Sequence, residues 1–101
     1  MRQDSVSVER KSRGYVYLLS GGGYYKIGQT RDIRSRSRAL GMQLPFEVDL
    51  VHVIETNEPL VLERRLHEEF NHKRVRGEWF ELSAEDVKYI KSIGSIWEER
   101  S

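Results

Sequence analysis

Tyr15–Leu19 and Tyr24–Gln29 are short runs in which Tyr, Val, Leu and Ile alternate between two faces. That pattern predicts two strands. Between them the chain reads Ser20-Gly21-Gly22-Gly23, a composition that tolerates positive φ and suits a hairpin turn. Asp32 is placed to cap a short helix ending near Leu40 and stopped by Gly41. Phe46–Ile54 alternates weakly and predicts a third strand. Asn57, followed by Glu58-Pro59, opens a helix to about Phe70. A basic loop, His72 to Arg76, leads to the short extended piece "GEWFEL", and Ser83 with Asp86 forms a capping-box pattern for a last helix running toward Trp97. The order β-β-α-β-α-(β)-α predicts an α+β domain with a small three-stranded, mostly antiparallel sheet flanked by helices.

The hairpin register follows from its turn. With Gly21-Gly22 as a two-residue turn, Leu18 faces Tyr25 and Tyr17 faces Lys26. Side chains alternate along a strand. Val16, Leu18, Tyr25 and Ile27 then form an apolar face for a core, and Tyr15, Tyr17, Tyr24 and Lys26 form a face of phenols around an amine. The glycines are no phosphate loop, because they join two strands and Lys26 precedes Ile27 rather than Ser or Thr.

Charged residues also recur beside apolar helical stripes. In "DIRSRSRAL", Arg34 and Arg38 face outward, while Arg36 leans toward the packed side. An unpaired charge there is costly, so Arg36 snorkels to solvent, pairs with a carboxylate or aims its guanidinium at a phosphate. In "NEPLVLERRLHEEF", Leu62, Leu66 and Phe70 make a buried stripe, with Glu63 and His67 one row beside it. Arg64/Glu68 and Arg65/Glu69 have the spacing of surface ion pairs. His67 and His72 are five apart, off the spacing of a metalloprotease helix, and the absence of cysteine excludes disulfides and Cys-based zinc sites.

Length and charge narrow the picture. The chain has 101 residues, enough for one domain. Residues 1–12 are expected to be a mobile arm, 13–97 the domain and 98–101 a tail. No run has the length of a membrane span, no secretory signal is evident, and the lack of cysteine suits a cytoplasmic protein. Net charge is +1, but residues 1–40 carry nine Lys/Arg against three Asp/Glu, and the remainder is acidic. A basic front half suits a polyanion, whereas the acidic back half argues against a protein that simply coats nucleic acid.

"YVYLL", then "YYKIG", then Arg36 eight residues past Gly28, then Glu63 on a later helix, together resemble the GIY-YIG endonuclease superfamily. "YKIGQT", "LERRLHEEF" and "GEWFEL" resemble its compact phage, plasmid and fungal branch, with KIG and GEWF motifs. The resemblance covers about Gly14 to Ile90. It matches Tyr17 to the tyrosine ending the first motif, Lys26 to a variant position of the second, Arg36 to the helix arginine and Glu63 to the metal-binding glutamate. Two positions depart from the pattern: Leu40 stands where many members carry His or Tyr, and "RGEWFEL" offers Glu78 or nothing where many carry Asn.

The implied activity is metal-dependent hydrolysis of phosphodiester bonds in DNA. Glu63 would hold one Mg²⁺ or Mn²⁺ and Arg36 would neutralise charge on the phosphoryl oxygens. Tyr17 would position or deprotonate water, helped by the Lys26 charge opposite; alternatively a neutral Lys26 is the base. His67 lies one turn from Glu63, either beside the metal or structural. Arg31, Arg34, Arg38, Lys73, Arg74 and Arg76 are candidate phosphate contacts. The alternatives are a catalytically weak or inactive DNA-binding module of the same fold, and an interaction domain in which these charges are a structural cluster. A homodimer cutting both strands and a lone domain with a larger partner are both compatible with this reading.

Overall fold

The computed structural model describes residues 13–36, 38 and 46–99. The expected arm at 1–12, the helix stop at Leu40-Gly41 and the end of the tail lie outside them. The protein is α+β, but its sheet has six strands rather than three. In chain order these are β1 Gly14–Gly21, β2 Tyr24–Thr30, β3 Val48–Thr56, β4 Arg74–Arg76, β5 Trp79–Phe80 and β6 Ile96–Trp97. In space they run β4-β5-β2-β1-β3-β6, antiparallel except for the parallel β3–β6 pair. Residues 33–36 are helical (α1), followed in the chain by α2, Pro59–Glu69, and α3, Ala84–Ser92.

The hairpin turn sits one residue later than expected. Gly22 and Gly23, with φ of 58° and 87°, are its two central residues, and Gly21 pairs with Tyr24. Two successive positive φ values are what a tight hairpin needs to match strand twist, and glycine adopts them without Cβ strain. Tyr17 therefore faces Gly28, and Lys26 faces Leu19 rather than Tyr17. The slip changes the register by two, so each residue stays on its expected face. Lys26 and Tyr17 share a face as diagonal neighbours.

β1 is central and covered on both sides. Val16 and Leu18 join Ile27, Ile54, Leu62, Leu66, Phe70, Phe80, Leu82 and Ile90 in one core. Tyr17 and Leu19, on the opposite face, are equally buried. Burial on both sides explains why "YVYLL" is apolar almost throughout.

The helix ends also differ from expectation. Glu58, not Asn57, precedes α2; its N–H donates to Thr56 Oγ1 at 3.0 Å, and Pro59 occupies the first turn, where its missing N–H costs nothing. Asn57 instead accepts from the Glu99 N–H at 3.1 Å. Asp32 caps α1 as expected, accepting from the Ser35 N–H at 3.2 Å. α3 carries the expected capping box, but it stops at Ser92, because Gly94 (φ 98°) turns the chain back and Ile96–Trp97 pairs alongside β3. The basic loop is in fact a 3₁₀ turn, Asn71–Lys73, followed by β4. Arg65 pairs with Glu99 at 3.1 Å instead of Glu69, whose carboxylate accepts from the Tyr89 hydroxyl at 3.2 Å. No helix among the described residues is long and apolar enough to cross a membrane.

The start of α3 is tied down electrostatically. Lys73 Nζ donates to Asp86 Oδ2, and the same carboxylate accepts from the Ser83 N–H at 2.9 Å. The Lys73 ammonium and the Ser83 N–H hold the Asp86 carboxyl below its usual range. A depressed carboxylate stabilises the fold above its unfolded pKa, and that contribution is lost as pH falls through the folded value. Ser83→Ala should lower stability by about 1 kcal/mol in thermal unfolding. Asp86→Asn should flatten the loss of stability below about pH 4, a range set by the ordinary aspartate pKa of about 3.9.

Candidate active site

β5 is only two residues long and pairs with the first half of β2, at Tyr25 and Lys26. One further bond, Ile27 N–H to the Glu78 carbonyl at 3.1 Å, closes that ladder. Beyond it α2 takes over: His67 Nε2 donates to the Ile27 carbonyl at 2.8 Å. The carbonyl can only accept, so Nε2 carries a proton in this contact, and Nδ1 is the ring nitrogen the contact does not use. The helix and the β4–β5 hairpin thus meet at one residue of β2, and the side chains they bring meet beside it.

Two of those side chains are Glu63 and Glu78. The four-residue spacing along α2 puts Glu63 and His67 on one helix face. Glu63, His67 and Glu78 each bring one ligand atom within 4.8 Å of the others, a separation one divalent cation can span. Burial, the neighbouring Glu78 charge and a hydrogen bond with that carboxyl push Glu63 up to about 7, against a smaller opposing pull from Lys26. Burial alone would raise Glu78 as well. It is held low instead, first by the hydrogen bond and charge of Lys26, then by Glu63 and His67. Of the two carboxyls, Glu63 is therefore the one that holds a proton more readily, and Glu78 the one that stays ionised. Lys26 Nζ lies 2.8 Å from Glu78 Oε1, and its side chain is only 13% exposed. The Trp79 ring covers it, with its centroid 5.9 Å from Nζ.

Tyr17 reaches the same place across β2. Its ring lies over Gly28: a Cβ at that position would come within 2.6 Å of Tyr17 Cζ. The hydroxyl is buried and makes no hydrogen bond of good geometry among the described residues. Burial raises its pKa; Arg36 opposes the rise, and Glu78 and Glu63 add to it. The net shift is upward, so the phenol stays protonated at neutral pH. Arg36 itself is exposed on α1.

Of the residues singled out from sequence, Tyr17, Lys26, Arg36, Glu63 and His67 come together here. Their pairing differs from expectation in two ways. Lys26 serves Glu78 rather than Tyr17, and Glu63 faces the carboxyl of Glu78, a partner the spacing along the chain does not indicate. Glu78 is the residue that sequence reasoning undervalued, and the "GEWF" motif was its one signal.

The six candidate phosphate contacts do not behave alike. Arg34, Arg38 and Arg76 are exposed. Arg31 is also exposed and donates to the Arg13 carbonyl at 2.9 Å. Lys73 is committed to Asp86. Arg74 is folded back onto its own hairpin, donating to Asn71 Oδ1 at 3.1 Å and to the Gly77 carbonyl, with the Phe80 ring centroid 5.0 Å away.

The T5orf172 domain model matches residues 14–94, most of the chain. The chain belongs to the T5orf172 domain family. It is a phage-associated domain of nuclease type. No curated protein and no solved structure matches the chain. The matched T5orf172 span contains every residue of the cluster, from Tyr17 to Glu78.

The Tyr17–Gly28 contact gives a direct test. Gly28→Ala should cost about 1–3 kcal/mol of stability through overpacking, measured by denaturant unfolding. Tyr17→Ala in the same chain should recover most of the added penalty, because the colliding ring is gone.

Proposed function

We propose that this T5orf172 domain is a GIY-YIG-type, metal-dependent endonuclease that hydrolyses phosphodiester bonds in DNA. One observation carries the reading. A buried phenol, with no hydrogen bond of good geometry among the described residues, and an arginine lie beside two carboxyls that hydrogen-bond to each other. A site made only to stabilise the fold would pair Arg36 with a carboxylate. Here Arg36 is left exposed beside Tyr17, where an anionic substrate can reach it.

Glu63 would hold one Mg²⁺ or Mn²⁺, which when bound supplies Lewis-acid and leaving-group stabilisation. Cation binding would compete with protonation of Glu63. Arg36 would meet the phosphoryl oxygens and neutralise charge building on them. Tyr17 enters as a neutral phenol that orients the attacking water. Its raised pKa and the engagement of Lys26 with Glu78 both count against proton abstraction by the phenolate. Lys26 would fix the Glu78 carboxylate. Arg34 and Arg38, exposed on the same segment as Arg36, would follow the DNA backbone, as would Arg76.

Plasmid incubated with the protein and Mg²⁺ or Mn²⁺ should be nicked. Arg36→Ala should slow nicking by about 10²–10³-fold, the usual loss for one oxyanion-stabilising group. Glu63→Gln should abolish it, and Tyr17→Phe should slow it by about 10–10²-fold with folding intact. Unchanged nicking by both Arg36→Ala and Glu63→Gln overturns the site assignment. Absent nicking combined with salt-dependent retardation of DNA in gels assigns the chain to a DNA-binding module instead.

A further inference from the structure

The cluster beside Ile27 holds more donors than a site resting on Glu63 alone requires. We propose that Glu63, Glu78 and His67 Nδ1 together form a three-ligand centre that selects a first-row transition ion, Mn²⁺ or Zn²⁺, over Mg²⁺. This deepens the nuclease reading and rests on it for the choice of a cation as occupant.

Three features of the fold support the assignment. First, the donors come from two elements held independently. Glu63 and His67 share a face of α2, and Glu78 is delivered by the β4–β5 hairpin, whose ladder to β2 closes through Glu78's own carbonyl. The backbone bond leaves that side chain little freedom to withdraw. Second, the supporting contacts are those that orient ligands. The Ile27 carbonyl accepts from His67 Nε2–H and leaves Nδ1 as the ring nitrogen placed to ligate an ion, a common arrangement behind metal-bound imidazoles. Phe80 lies against the same ring at a centroid distance of 5.2 Å, and Lys26 fixes one oxygen of Glu78 at 2.8 Å. Third, the Tyr17 hydroxyl, on a residue only 2% exposed, makes no hydrogen bond of good geometry among the described residues and lies within the field of both glutamates. A buried hydroxyl of that kind is placed to hold a water ligand of an ion.

The donor chemistry sets the preference. Mg²⁺ takes oxygen ligands in a strict octahedron and keeps most of its waters. One imidazole nitrogen beside two carboxylates favours a softer ion, and affinity rises from Mn²⁺ toward Zn²⁺. Three protein ligands also leave positions open for water and substrate, as catalytic centres require.

The test needs no DNA. Calorimetric titration of the full chain with Mn²⁺, and separately with Mg²⁺, should give one site that binds Mn²⁺ at least about tenfold more tightly. Glu63→Gln and Glu78→Gln should each weaken Mn²⁺ by about 10–100-fold, while His67→Gln should remove the preference and spare Mg²⁺ binding. Thermal unfolding with and without Mn²⁺ reports on folding of each variant. If His67→Gln fails to fold, the wild-type ion comparison and Glu78→Gln decide the matter between them. Glu78→Gln binding Mn²⁺ like wild type, or equal affinity for the two ions, overturns the three-ligand centre and leaves the nuclease reading standing. Selective Mn²⁺ binding by a wild type that nicks no DNA supports the centre and sinks the nuclease reading.

Discussion

Glu63 and Glu78 are forced together, and the surrounding structure is organised by how that repulsion is relieved. Without help, two carboxylates at hydrogen-bonding distance in a half-buried space would push α2 away from the β4–β5 hairpin. The raised Glu63 carboxyl holds a proton more readily, and the Lys26 ammonium answers the Glu78 charge. Trp79 then shields Lys26, and the Ile27 backbone holds both sides in place by donating its N–H to the hairpin and accepting from His67 on the helix. A single residue of β2 thereby joins the two bodies that supply the charged groups.

Access to this point depends on a residue with no side chain. β1 is buried on both faces, so Tyr17 cannot reach solvent around its own strand. It crosses β2 at Gly28, the one place where the neighbouring strand presents only backbone. The same burial that steadies the ring keeps the phenol protonated, and this limits Tyr17 to orienting and donating roles.

Much of this could be read from the chain, with clear physical limits. The faces of the hairpin were legible although the turn sits one residue later than its composition suggests, because that moves the register by two and leaves parity unchanged. That shift still changes the partner of Lys26, since partners depend on register where faces do not. The stripe Leu62, Leu66, Phe70 was legible from helical spacing, and so was the row of Glu63 and His67 beside it. β4 and β6 were not legible, because two or three residues carry no period and are strands only through their pairing; β5 was legible only as the short extended piece "GEWFEL". The weight of Glu78 was hidden for the same reason: nothing local in "GEWF" says which helix its carboxylate will meet.

Arg13, at the head of β1, donates to Glu55 at 3.0 Å and to Glu98, just past β6, at 2.9 Å. Trp97 lies beside Arg65, and the Glu99 N–H is held by Asn57. The described polypeptide thus enters and leaves the fold at one point, an ion pair apart. A unit with that geometry can be spliced into a surface loop of a larger protein without prising the loop's ends open, so that its host and its own sheet need not compete for the same stretch of chain.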